Sequence, residues 1–143
     1  MSMAATDHVE AFDTTLEKTY AWLNELADEL GTGDRHQAYE VLRAFLHALR
    51  DRLPVDSAVK LGAQLPMLVR GFYYEGWSPA HKPDKMDADA FLDRVRRETN
   101  LAPEDVEPAV RAASKTLQHH VTEGELAKSI GILPNHIFRL LVE

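Results

Sequence analysis

The densest group of side chains able to recognise a ligand is Tyr73, Tyr74, Glu75, Trp77 and His81. Aromatic rings with one polar edge bury a large area while keeping a hydrogen bond, which suits a binding surface. The same residues would also serve to tie down a junction between two structural units, with Trp77 and a tyrosine packed away and no ligand involved. Of the seven histidines, the best spaced for a cation is His36, which lies four residues before Glu40. His47 falls near the same helical stripe, opposite Phe45, but two turns on from Glu40. Arg43 in that stripe opposes a cation and suggests an ordinary pair with Glu40, so His36 and Glu40 are a weak metal pair with an incomplete ligand set. His119 and His120 diverge by about 100° on a helix and cannot hold one ion together. His120 reads as a half-buried structural residue, His119 as an exposed one near a helix C-terminus. The arginines Arg43, Arg50, Arg52, Arg70, Arg94, Arg96 and Arg97 offer forks for phosphate or carboxylate. Acids stand beside most of them, Asp51 between Arg50 and Arg52 for example, and solvated salt-bridged faces account for them.

No complete catalytic set accompanies these groups. The chain has no glycine-rich phosphate loop, no HExxH and no Gly-x-Ser-x-Gly elbow, and no cofactor is indicated. It has no cysteine, which removes disulfides, thiolate catalysis and thiolate metal sites. The 16 Lys and Arg against 23 Asp and Glu leave a net charge of −7, a field that repels nucleic acid and anionic lipid. With 143 residues, 45% hydrophobic and 27% charged, the composition is globular. No apolar run is long enough to span a bilayer and no secretory leader is evident, so the expectation is a cytoplasmic protein binding neither nucleic acid nor membrane.

The elements that must position these residues are helices throughout. A first helix from Asp7 to Leu30, capped by Thr6 or Asp7, carries Val9, Phe12, Leu16, Tyr20, Leu23, Ala27 and Leu30 as one stripe. Gly31 and Gly33 stop it, and Asp34 caps a second helix with Ala38, Val41, Leu42, Phe45, Leu46 and Leu49 on its buried side. Pro54, the cap candidate Asp56 and the Leu65-Pro66 break delimit a third, short helix, and MLVRGFYY forms a fourth. After a helix-free stretch, GWSPAHKPDK, a helix opens at Asp87 with Phe91 and Val95. The next opens at Pro103 with Val106, Ala109, Val110, Ala113 and Leu117, and Pro108 should either delay its start or kink it. Thr122 to Glu125 reads as a capping box, and Leu133-Pro134 separates the last two helices.

The halves align without a gap at an offset of 68 residues, pairing Arg43 with Arg111, Leu49 with Leu117, Lys60 with Lys128 and Leu65-Pro66 with Leu133-Pro134. Caps, prolines and core positions share this register. The expected fold is therefore all-α, a duplicated helical bundle of two pseudo-symmetric units of about four helices each. Residues 1–75 form the first repeat, 76–86 the linker and 87–143 the second repeat, in one compact domain. The core should be anchored by Phe12, Leu16, Leu23, Val41, Leu42, Phe45, Leu49, Phe91, Val110, Leu117 and Ile137, and Tyr73 to Trp77 should pack between the repeats.

The stretch LGAQLPMLVRGFYYEGW, the proline-containing linker after it and the helix DADAFLDRVRRET resemble the bacterial uncharacterised family with domain-of-unknown-function number 2267 over nearly the whole chain. The resemblance implies a duplicated helical unit with the Leu-Pro break and the Tyr73 to Trp77 segment, and transfers no reaction, cofactor or catalytic residue. Two functions stay open. One is a non-enzymatic interaction module that binds a protein partner or itself through Tyr73, Tyr74, Glu75, Trp77 and His81. The other is a small-molecule or metal-binding protein, or an enzyme, with a pocket between the repeats.

Overall fold

The structure, a computed structural model, describes residues 8–142. It is all-helical, with eight α-helices and no strand among the described residues: α1 (Glu10–Leu30), α2 (Arg35–Arg52), α3 (Val55–Ala63), α4 (Met67–Tyr74), α5 (Ala88–Arg97), α6 (Pro103–His120), α7 (Glu123–Ile130) and α8 (Asn135–Val142). No helix among them is long and apolar enough to cross a membrane.

Local chemistry accounts for most boundaries. Gly31, at φ 78°, takes the left-handed conformation that closes α1 and donates to the carbonyls of Ala27 and Asp28. The Asp34 carboxylate accepts from the amides of His36 and Gln37 at the start of α2. Asp87 and Thr122 cap α5 and α7 in the same way. The Thr6 or Asp7 cap expected for the first helix lies outside the described residues. Asp56 sits in the first turn of α3 rather than at its cap, which is Pro54. Pro108 does not delay the start of α6, which runs through it from Pro103.

The centre of the molecule is α2, buried from Ala44 through Asp51 without interruption. It touches α1, α3 and α4 from its own half and α5 and α6 from the other. The α1 helix also packs on α6, and α3 on α7, so one core serves both halves. Phe45 and Phe91 meet edge to face at its middle, ring centres 6.3 Å apart.

The expected core is corrected at the first helix. Leu23, Val41, Leu42, Phe45, Leu49, Phe91, Val110, Leu117 and Ile137 are buried, but Phe12 is 59% exposed and Leu16 42%. The helix turns Thr15, Thr19, Trp22 and Leu26 inward instead. The stripe from Val9 to Ala27 is real, but at about 100° per residue it lies roughly a quarter turn from that inward direction. Its C-terminal part, Leu23 and Ala27, is buried, whereas its N-terminal part, Val9 to Tyr20, stands in the open.

The helix-free stretch 75–87 is tied to α2 and α5 by charge. Asp51, 8% exposed, accepts from Arg50 Nε and Arg94 Nη1, each at 3.0 Å, and Lys82 Nζ lies 3.8 Å away. Lys82 and Arg94 also reach Asp84, whose amide donates to the Asp51 carbonyl at 2.7 Å. Arg52 Nε donates to the Met86 carbonyl. Arg50 and Asp51 are therefore not part of a solvated face, because the connection between the halves closes over them.

Candidate functional site: an apolar groove between α1, α2 and α4

The first half carries an open groove of about 530 Å³. Leu16, Thr19, Tyr20 and Leu23 of α1 line one wall, Tyr39 of α2 one end, and Leu68, Gly71, Phe72 and Tyr74 of α4 the other wall, with Glu75 at the rim. Its position follows from how α1 crosses α4. The Thr15 hydroxyl accepts from the amide of Leu68 at 2.9 Å, serving as a remote cap for one of the unpaired donors at the start of α4. That contact holds α1 over Pro66 and Met67 and leaves the Phe12–Leu16–Tyr20 side uncovered beside Leu68. Tyr39 meets Phe72 edge to face at 5.3 Å, and the Arg35 guanidinium lies over the Tyr20 ring at 4.9 Å. Thr19 Oγ1 is buried and has no hydrogen-bond partner among the described residues.

The aromatic segment singled out from the sequence is divided by the fold. Tyr73 is fully buried, and its hydroxyl donates to the Ala58 carbonyl at 2.7 Å. Burial, reinforced by neighbouring Tyr74, pushes that phenol far above its ordinary range. Tyr74 lies across Gly62, where an added Cβ would collide with its hydroxyl, and burial raises its phenol as well. Trp77 is half-buried against Tyr74 at 5.4 Å, and its Nε1 has no partner among the described residues. His81 is exposed. Glu75 accepts from Arg43 Nη2 at 2.6 Å, and this hydrogen bond holds its carboxyl below the usual carboxylate range while raising the Arg43 guanidinium. Of the five, Tyr74 and Glu75 edge the groove. The segment is anchored by its own half rather than wedged between the halves: Arg50 Nη1 donates to the carbonyls of Tyr73 at 2.6 Å and Glu75 at 2.7 Å, closing the C-terminus of α4.

The histidine readings resolve differently. His36 and Glu40 are both exposed on α2. Arg43 reaches across to Glu75 instead of pairing with Glu40. His47 is not on an outer face: it is 4% exposed, with Nε2 donating to the Phe72 carbonyl at 2.7 Å and Nδ1 3.2 Å from Glu98. His119 and His120, too divergent for one ion, instead flank one carboxylate, Glu25, at 2.8 and 3.2 Å, and His120 stacks on Trp22. Among the described residues no three His, Asp or Glu side chains converge to hold a metal ion.

Sequence reasoning missed Phe12, Leu16, Tyr20, Tyr39 and Leu68 as surface residues, though a signal for them existed. At the offset of 68 their counterparts are polar or small: Asp84 for Leu16, Ala88 for Tyr20, Glu107 for Tyr39 and His136 for Leu68. That contrast is only a partial signal, since Leu26, aligned with Arg94 at the same offset, is fully buried.

Comparison with curated proteins finds no match. A family model described as "Uncharacterized conserved protein (DUF2267)" matches residues 19–140, from the inward turn of α1 at Thr19 to the last turn of α8. The chain belongs to the DUF2267 family.

Proposed function

We propose that this protein is a non-enzymatic, cytoplasmic helical interaction module whose working surface is the groove between α1, α2 and α4. One observation carries the reading. Of the ten large apolar side chains that stand exposed among the described residues, Phe12, Leu16 and Tyr20 lie on one side of α1 with Val9 at its N-cap, and Tyr39 and Leu68 belong to the elements beside it. Six of ten on one region is a patch rather than the usual scatter of single residues.

A duplication strengthens it. We take the two halves to be copies of one unit, on the support of helix starts that fall 68 residues apart: Arg35 and Pro103, Val55 and Glu123, Met67 and Asn135. A shared device supports this too. Arg50 donates to the Tyr73 carbonyl and its counterpart Gln118 to the Leu141 carbonyl at 3.1 Å, each binding the end of the last helix in its half. Against that background α1 departs from its counterpart. It has 21 residues where α5 has 10, and the added turns carry Phe12 and Leu16. The second half folds without such an extension, so its apolar side has a use other than folding the repeat.

The test is capture on the immobilised full chain, with the wild type compared with Phe12→Asp/Leu68→Asp and bound proteins identified by mass. At least one protein, a further copy of this chain included, should be held by the wild type and lost by the variant. Identical captured sets would refute the reading.

A further inference from the structure

We propose that the occupant of this groove is a second copy of the same chain, related by a twofold axis that passes close to Leu16 and crosses one α1 antiparallel to the other. The proposal rests on the groove reading above and names its partner. Three observations point to self-association.

The first is area. The six exposed side chains have between 38% and 59% of their surface accessible, which for residues of this size is on the order of 500 Å² of apolar surface. That is at the upper end for a free monomer, and with a polar rim it approaches the roughly 800 Å² per partner of a standard interface.

The second is shape with symmetry. A twofold interface must be self-complementary, so that when one residue meets another the converse contact also forms. Phe12 and Tyr20 lie four residues before and after Leu16 on the same stripe. An antiparallel crossing centred on Leu16 therefore sets the projecting Phe12 of each copy against Tyr20 of the other, at the Tyr39 end of its groove.

The third is charge. The charged side chains of this part of α1 are the acids Glu10, Asp13 and Glu17 and the single cation Lys18, with His8 3.1 Å from Asp13 ahead of the helix, and Arg35 is held over Tyr20 beyond the axis. The antiparallel crossing brings Asp13, next to Phe12, toward Arg35 of the other copy. A parallel crossing would bring acid to acid, which a chain of net charge −7 resists.

Light-scattering mass of the full chain from micromolar to millimolar concentration, with cysteine crosslinking, tests this. The wild type should pass from 16.1 kDa to twice that mass. Phe12→Asp should weaken the dimer by at least about 30-fold, as for a central anchor, while its urea midpoint, read at a concentration where both proteins are monomeric, stays at the wild-type value. Asp13→Arg should weaken it, and adding Arg35→Asp should restore it. Because the chain contains no cysteine, Leu16→Cys supplies a single thiol at the axis and should oxidise to a disulfide-linked dimer, whereas the exposed control Val59→Cys on α3 should not. A wild type that stays at 16.1 kDa at every concentration, or crosslinking as fast through Val59→Cys as through Leu16→Cys, overturns self-association. If the capture experiment then still yields a foreign protein that Phe12→Asp/Leu68→Asp loses, the groove reading survives and only the choice of occupant was wrong. A monomer with nothing captured defeats both.

Discussion

Replacing Arg50 by alanine separates the folded arrangement from the sequence expectation sharply, because the two assign the residue to opposite environments. A solvated arginine beside Asp51 would contribute about 0–1 kcal/mol. In the fold, Arg50 is 5% exposed and makes three charge-assisted hydrogen bonds: to Asp51 Oδ1 at 3.0 Å and to the carbonyls of Tyr73 and Glu75 at 2.6 and 2.7 Å. Each such bond contributes about 1.5–3 kcal/mol. Offset against these is the desolvation of the guanidinium, which the alanine variant no longer requires. What remains is the penalty for two carbonyls left unpaired at the end of α4 and for a buried carboxylate that keeps only Arg94 and the more distant Lys82. Breaking one partner of a buried pair typically costs about 3–5 kcal/mol, and that is the loss expected for Arg50→Ala in urea unfolding. Asp51→Asn in both backgrounds should show a coupling of about 0.5–3 kcal/mol with Arg50. A loss under about 1 kcal/mol for Arg50→Ala would mean that Arg50 is solvated and that the closure of residues 75–87 over it is wrong.

Three further outcomes are expected. In urea unfolding, Phe45→Ala should lose about 3–5 kcal/mol and Phe12→Ala less than about 0.5 kcal/mol; equal losses would restore Phe12 to the core. Thr15→Val removes the acceptor for the Leu68 amide and should cost about 1–2 kcal/mol, measured the same way, with no loss if water reaches that amide. The buried Tyr73 phenol is raised above its ordinary value of 10.0, so its contribution is complete below pH 10 and is lost as pH rises toward the folded value, because only the unfolded chain then ionises. Stability should fall by up to about 1.4 kcal/mol per pH unit through this one group above pH 10. Tyr73→Phe should remove that share of the slope, and an unchanged slope would show that the phenol is solvated.

The helices and their ends were legible in the sequence because the forces that set them are local. Asp34, Thr122 and Asp87 satisfy amides two or three residues on, Gly31 takes a left-handed turn that other residues avoid, and Leu-Pro pairs break a helix wherever they stand. Periodicity likewise marked the buried sides of α2, α5 and α6, since those stripes are covered along their length. At α1 the same periodicity identified a stripe without saying what covers it. The spacing of apolar residues gives the direction of an apolar side relative to its own helix axis, and whether a neighbour lies in that direction depends on where the chain returns. The Thr15 contact to α4 sets α1 in an orientation that buries Trp22 and Leu26 and leaves Phe12 and Leu16 outside. The charged residues divide along the same line. Arg50 beside Asp51 reads as a surface pair from adjacency alone, and only the return of residues 75–87 across α2 excludes the water and turns the pair into part of the core. The groove with its exposed aromatic wall is therefore a property of tertiary packing: it exists because an apolar stripe encoded locally extends beyond the surface that its own chain supplies.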